Sequence, residues 1–140
     1  MTGILIATHH NLAEAFRETV EMIAGKHDFV ESVGLRAGQD PEAFGQLIAD
    51  KVEQFHQRGH EEVVVMLDLF GGTPCNQTIR LLRAYSLQVV VGVNLPMILQ
   101  AVLANREGVT ASQLIAMAVD NGRGGIFDAA ARIQSLTEEE

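Results

Sequence analysis

Two stretches of this chain carry residue types that can do chemistry together. ATHHNLAEAF, Ala7 to Phe16, puts His9 and His10 side by side where a short apolar run gives way to helical spacing. DLFGGTPCN, Asp68 to Asn76, follows a run of valines with a carboxylate, two glycines and a threonine. A neutral imidazole is a nucleophile near physiological pH, and a carboxylate that accepts a hydrogen bond from one ring nitrogen leaves the lone pair of the other pointing outward. The same carboxylate stabilises positive charge that develops on the ring during attack. Gly71 and Gly72 permit close backbone approach, Thr73 offers a hydroxyl, and the N–H groups of a helix start favour an anion such as a phosphoryl group. Each element also has an ordinary reading as turn histidine, capping aspartate or helix-opening turn, and a histidine pair can equally hold a metal.

The surrounding pattern decides whether these residues can meet. Gly3 to Thr8 is a continuous apolar run of strand length, as expected when helices cover both faces of a parallel strand. Leu12, Phe16, Val20 and Ile23 then recur at helical spacing, with Asn11 and Glu14 as a capping pair and Gly25 as a stop. Phe29 to Leu35 reads as a second strand; Asp40-Pro41 opens a helix with Phe44, Leu47, Ile48, Val52 and Phe55 inward, ended by Gly59. Glu62 to Asp68 is the clearest buried strand, and Thr73 caps a helix that begins at Pro74 and runs through Ile79 and Leu82. Leu87 to Val93 is the fourth strand; Asn94-Leu95-Pro96 opens a helix carrying Ile98, Leu99, Val102 and Leu103, and Thr110 opens a last one carrying Leu114, Ile115 and Ala118 before Asn121-Gly122.

Strands alternating with helices over the whole length predict an α/β three-layer fold with a parallel sheet and right-handed crossovers, in one domain spanning residues 1–140, ordered to about residue 130 and ending in a frayed acidic tail, TEEE. In the common doubly wound order 2-1-3-4, the first and third strands are neighbours whose following connections go to opposite faces, which opens a crevice at their C-terminal ends. Thr8-His9-His10 and Asp68 through Thr73 then converge on that crevice.

Composition narrows the partners. The 140 residues are 47% hydrophobic and carry a formal net charge of -8, so no basic face exists to neutralise nucleic-acid phosphates or an anionic membrane, and a small ligand or another protein is the expected partner. The single cysteine, Cys75, cannot form an internal disulfide, no charged n-region precedes the first strand, and no apolar stretch approaches the roughly 20 residues that span a bilayer, which together predict a cytoplasmic protein.

The segments GILIATHHNLAEAF, VVVMLDLFGGTPCNQ and VVVGVNLPMIL, in this order and spacing, resemble the IIA component of mannose-type (mannose/fructose/sorbose class) sugar phosphotransferase systems, over a span from about Gly3 through the helix that begins at Thr110. The resemblance implies a flavodoxin-like phosphocarrier without a cofactor. It would receive a phosphoryl group on a histidine from the histidine-containing phosphocarrier protein and pass it to a IIB component serving a membrane IIC/IID permease, with which the protein would associate peripherally. On that resemblance His9 is the acceptor through Nε2, Asp68 holds the other ring nitrogen, and Thr73 with Gly71 and Gly72 forms the phosphate pocket. Similar proteins are homodimers that exchange a C-terminal edge strand, for which Ile126-Phe127 is the candidate here. The chain departs from the family at His10, where a glycine is usual, and it carries no fused IIB domain, so the next acceptor is expected to be a separate polypeptide.

Other residues are expected to be quieter. His27, His56 and His60 read as solvated, because Gly59 ends the helix between the last two and spoils their metal spacing. Cys75 reads as a packing residue, Phe70 as core or docking rim, and Asn94 and Met97 as a helix cap and a core residue near enough to line the crevice. A receiver-type domain phosphorylated on Asp68 would need an acidic cluster after the first strand and a late lysine, whereas the only lysines are Lys26 and Lys51. A non-catalytic module binding a phosphate ligand or a regulated protein remains an alternative, as does a dihydroxyacetone-kinase phosphotransferase subunit, which shares the fold, although DLFGGTP and NLPM point away from it.

Overall fold

The computed structural model describes residues 1–139. Four strands, β1 (Gly3–His9), β2 (Val30–Leu35), β3 (Val63–Leu67) and β4 (Leu87–Val91), form one sheet in the order β2-β1-β3-β4, with every pairing parallel. The helices are α1 (Leu12–Ala24), α2 (Pro41–Gln57), α3 (Thr73–Leu81), α4 (Leu95–Ala104), α5 (Ala111–Gly124) and α6 (Ala129–Glu139).

Because side chains alternate along a strand, the sheet sorts its residues into two cores. Ile4 and Ile6 of β1 and Val64 and Met66 of β3 pack with Ala13, Val20, Met97, Ile98 and Ala118 of α1, α4 and α5. Leu5, Ala7, Val63, Val65 and Leu67 pack on the other face with Phe44, Ile48, Val52 and Phe55 of α2 and Cys75 of α3. This is the double burial that the unbroken apolar runs require, and each fully buried aromatic or aliphatic side chain contributes about 1.5–3 kcal/mol. The alternation has a local consequence at the end of β1, where Thr8 must turn toward α1 and His9 toward α3.

Several helix starts follow their sequence signals. Asp40 accepts from Ala43 N at 3.0 Å, Asn94 from Met97 N at 3.0 Å, and Thr110 and Gln113 form a reciprocal capping box. The α1 start differs from expectation. Asn11, at φ -91 and ψ 10, makes no side-chain cap, and the buried Thr8 hydroxyl instead accepts from Ala13 N at 2.7 Å. The α3 start differs too: Thr73 is the first helical residue, and the cap position falls on Gly72, which has no side chain to fill it. β4 ends at Val91, short of Val93, because Gly92 and Val93 both turn their N–H groups onto Leu67 O, at 2.9 and 3.0 Å.

The C-terminal region departs furthest. Ile126 and Phe127 lie in the turn between α5 and α6 and form no strand. Gly124 and Gly125 precede them, and Asp128 follows by capping the next helix, accepting from Ala131 N at 2.9 Å, so too few residues are left for a ladder. From Ala129 the chain continues as α6; of the TEEE tail only Glu140 lies outside the described residues. Leu12, Ile23, Leu47, Ile79, Leu82 and Leu103 are exposed; Leu82 is the C-cap of α3 rather than part of it, and Leu103 falls on the face of α4 opposite Met97, Ile98, Ala101 and Val102.

Candidate functional site

The β1–β3 register pairs Ala7 with Leu67, so Thr8-His9 and Asp68 leave the sheet side by side. Asp68 Oδ2 accepts from the His9 backbone N–H at 3.0 Å and lies 2.9 Å from His9 Nδ1, while Asp68 Oδ1 accepts from Leu69 N at 3.1 Å. An ionised carboxylate is acceptor-only, so Nδ1 must carry the proton in the neutral ring and Nε2 the lone pair. Burial pushes the Asp68 carboxyl up, but the hydrogen bonds from the His9 backbone and ring, together with the charge on His9, outweigh it and hold the group below its ordinary value. The two side chains differ in access, Asp68 being 12% and His9 42% exposed, so the carboxylate is shielded while the ring stays open to a visiting group.

The opposite wall of the ring is Gly72. A Cβ there would stand 2.6 Å from His9 Cε1 and 3.0 Å from Nε2, closer than packed atoms allow, so the imidazole uses the space that only glycine leaves. Gly71 precedes it at φ +90, and Gly71 O and Gly72 O are tied back to the helix by Asn76 Nδ2 at 3.2 Å and Asn76 N at 2.9 Å. The lone-pair nitrogen, Nε2, thus lies beside Gly72 at the N-terminus of α3, whose first residue is Thr73, and first-turn N–H groups with the helix dipole favour negative charge there.

On the other side, Thr8 Oγ1 donates to His9 O at 3.1 Å while capping α1, which ties the backbone of His9 to that helix. His10 takes φ 54, the one non-glycine residue at positive φ among the described residues, and its N–H donates to Leu35 O at 2.8 Å. A Cβ on Gly34 would fall 1.9 Å from His10 O, so the β2 backbone accommodates this turn only as glycine. Sequence reasoning overlooked the positioning roles of Thr8 and Gly34: the alternation along β1 points Thr8 at α1, but no local signal marks Gly34, whose need arises across the sheet.

The expected residues divide accordingly. His9, Asp68, Gly71, Gly72 and Thr73 come together; His10 and Phe70, the latter 77% exposed, stand on the rim. Asn94 and Met97 sit beyond the end of β4. They line a cavity of about 240 Å³ with Val119, Gly122 and Ile126, and Asn94 Nδ2 donates to Gly122 O at 2.9 Å, which ties the start of α4 to α5. His60 is not solvated: it is 8% exposed, with Nδ1 3.1 Å from Met1 O, because the chain folds back under β1 just after α2 ends. His27 stacks on Phe29 at 4.7 Å and His56 stays exposed beside Tyr85. Cys75 is buried in the α2–α3 core. Among the described residues no three His, Cys, Asp or Glu side chains are grouped to hold a metal, and no helix is long and apolar enough to cross a membrane.

Comparison with known proteins places this geometry. A family model described as "PTS system fructose IIA component" matches residues 3–119. The chain is 34% identical over 120 residues to the "PTS system sorbose-specific EIIA component" of Lacticaseibacillus casei, covering 80% of this chain and 79% of that protein. It is 27% identical over 125 residues to the "PTS system mannose-specific EIIAB component" of Escherichia coli (strain K12), covering 89% of this chain but spanning only 38% of that protein's length. Among solved structures, the phosphotransferase system component EIIA from Streptococcus agalactiae superposes with a TM-score of 0.84 at 26% identity, covering 94% of this chain and 99% of that one. A chain with this sheet order, matched by this family model over most of its length, belongs to the mannose/fructose/sorbose class of phosphotransferase-system IIA components.

Proposed function

We propose that the chain is a phosphocarrier that accepts a phosphoryl group on His9 Nε2 from the histidine-containing phosphocarrier protein and passes it to a IIB component, driving sugar phosphorylation at a IIC/IID permease. The observation that carries this reading is the 2.9 Å contact between His9 Nδ1 and Asp68 Oδ2, which presents Nε2 at the start of α3. In the first step the Nε2 lone pair forms an N–P bond as the donor's N–P bond breaks, and the electron pair of that bond stays on the donor nitrogen. In the second step the His9 N–P bond breaks and its pair returns to Nε2 as the IIB nucleophile bonds to phosphorus. Asp68 offsets the charge that builds on the ring in both directions, while Gly71, Gly72 and Thr73 seat the phosphoryl oxygens. Transfer of this kind rests on positioning and charge stabilisation, with no other covalent chemistry asked of the protein.

Action in the cytoplasm beside the membrane, and as a homodimer, belongs to the same proposal. The test is to incubate the protein with phosphoenolpyruvate, the general phosphotransferase enzyme and the phosphocarrier, and to map the label by mass spectrometry under conditions that preserve phosphohistidine. Label on His9, lost in His9→Gln, is the expected result; absence of label, or label kept by His9→Gln, overturns the proposal.

A further inference from the structure

The two glycines beside the His9 ring are joined by a peptide that turns easily. Gly71 lies at φ +90 and neither residue has a Cβ, so the peptide between them can rotate about its long axis at little steric cost. Which way it faces decides what a phosphoryl group meets. None of the described peptide bonds is cis, and a trans peptide points its C=O and its N–H in opposite directions.

Asn76 sets that direction. Its Nδ2 donates to Gly71 O at 3.2 Å, and its backbone N–H donates to Gly72 O at 2.9 Å. Both carbonyls are therefore turned toward the body of α3. The N–H groups on the far sides of the same two peptides, those of Gly72 and Thr73, are turned the other way, to the open end of the helix, where a Cβ on Gly72 would stand 3.0 Å from His9 Nε2. Among the described residues neither N–H donates to a protein acceptor, and the next position adds no donor, since Pro74 has no N–H. The backbone bond to Gly72 O belongs to the ordinary helix ladder. The side-chain bond does not, and among the described residues no backbone N–H donates to Gly71 O in its place. With the 71–72 peptide reversed, the Gly72 donor would be lost and a carbonyl oxygen would oppose the charge of the phosphoryl group.

We propose that Asn76 is a positioning residue for phosphoryl transfer, whose side-chain amide latches the Gly71–Gly72 peptide so that the Gly72 N–H, and not the Gly71 carbonyl, faces the phosphoryl group on His9. This rests on the phosphocarrier reading above. Asn76 acts through the peptide and takes no part in making or breaking the N–P bond.

The experiment is single-turnover transfer from the phosphorylated histidine-containing phosphocarrier protein to wild type and to Asn76→Ala over a range of donor concentrations, with amide NMR spectra of both proteins before and after phosphorylation. Alanine suits this exposed helical position, so the fold is kept. The limiting transfer rate is expected to fall by about two- to tenfold, the scale of one neutral hydrogen bond, at an unchanged half-saturating donor concentration. The Gly72 amide proton is expected to move downfield on phosphorylation of wild type, the mark of a new bond to a phosphoryl oxygen, and to move much less in the variant. An unchanged limiting rate, a loss seen only in the half-saturating concentration, or a Gly72 amide that responds equally in both proteins overturns the role of Asn76, while label on His9 leaves the phosphocarrier reading intact. Failure of wild type to take label at His9 overturns that reading itself.

Discussion

One carboxylate oxygen, Asp68 Oδ2, holds both ends of the same residue: it accepts from the His9 backbone N–H at 3.0 Å and lies 2.9 Å from His9 Nδ1. The ring is thereby referenced to its own main chain, and neither its tautomer nor its tilt is left to solvent. Replacing Asp68 with Asn keeps the shape but removes the charge, and it lets the ring donate from either nitrogen. Transfer to His9 is expected to slow by about 10- to 100-fold, matching the about 1.5–3 kcal/mol of a charged hydrogen bond, with little change in circular dichroism. Normal single-turnover rates in Asp68→Asn would show that the carboxylate does not orient the ring.

The same pair sets an acid limit on stability. The folded Asp68 carboxyl lies below its ordinary value of 3.8, so its contribution is fully present above that value and is lost as pH falls through the lower, folded one. Glu31 behaves alike. Burial pushes it up, but Arg58 at 3.0 Å and Lys51 at 3.2 Å hold it below its ordinary 4.5. Urea midpoints of wild type and of Glu31→Gln should differ by a constant amount from neutral pH down to about pH 5 and converge at lower pH. A gap that widens on acidification would contradict the sign.

Gly72→Ala tests the wall behind the ring. The Gly72 backbone, at φ -81 and ψ 174, suits alanine well, so any effect comes from the new methyl pressing on His9 Cε1. The ring must move off Asp68, at a cost of about 1–3 kcal/mol in stability and with most of the transfer rate lost. The imidazole resonances of His9 in NMR report the displacement directly; unchanged shifts would refute it.

Gly34→Ala presses on backbone rather than on a side chain. Its Cβ would meet His10 O at 1.9 Å, and neither strand can retreat without breaking the β1–β2 ladder. Loss of more than about 3 kcal/mol, or failure to fold, is expected in urea denaturation. A near-neutral result would mean that the turn at His10 can relax.

Thr8→Val keeps the buried volume and removes the hydroxyl that caps α1 and ties down His9 O. A loss of about 1–2 kcal/mol is expected, largely recovered in Thr8→Ser. Equal losses in both variants would assign the effect to packing.

Much of this site is legible in the sequence because it depends on local signals added to one topological rule. Apolar runs of strand length at residues 3–8 and 62–68 predict the two central strands, and the order 2-1-3-4 then brings His9 to Asp68. What escapes depends on contacts between distant segments. Gly34 looks like any glycine in a strand until His10 is placed beside it, and the burial of His60 appears only when Met1 folds over it. The nearest cap candidates for α1 in the sequence are Asn11 and Glu14, but the strand's own last inward residue, Thr8, supplies the cap. Ile126-Phe127 could pass for a strand by residue type alone, but the paired glycines before it and the cap after it leave no length for one.

β1 is flanked on both edges and covered on both faces, and every residue from Thr2 through Thr8 is buried. His9 is therefore mounted at the tip of a strand held on every side. If a donor and an acceptor call there in succession, neither can rely on the post to swing toward it; each must bring its own reactive atom to the same fixed point in space. The orientational entropy of both exchanges is thus largely spent during folding, once, rather than at each encounter.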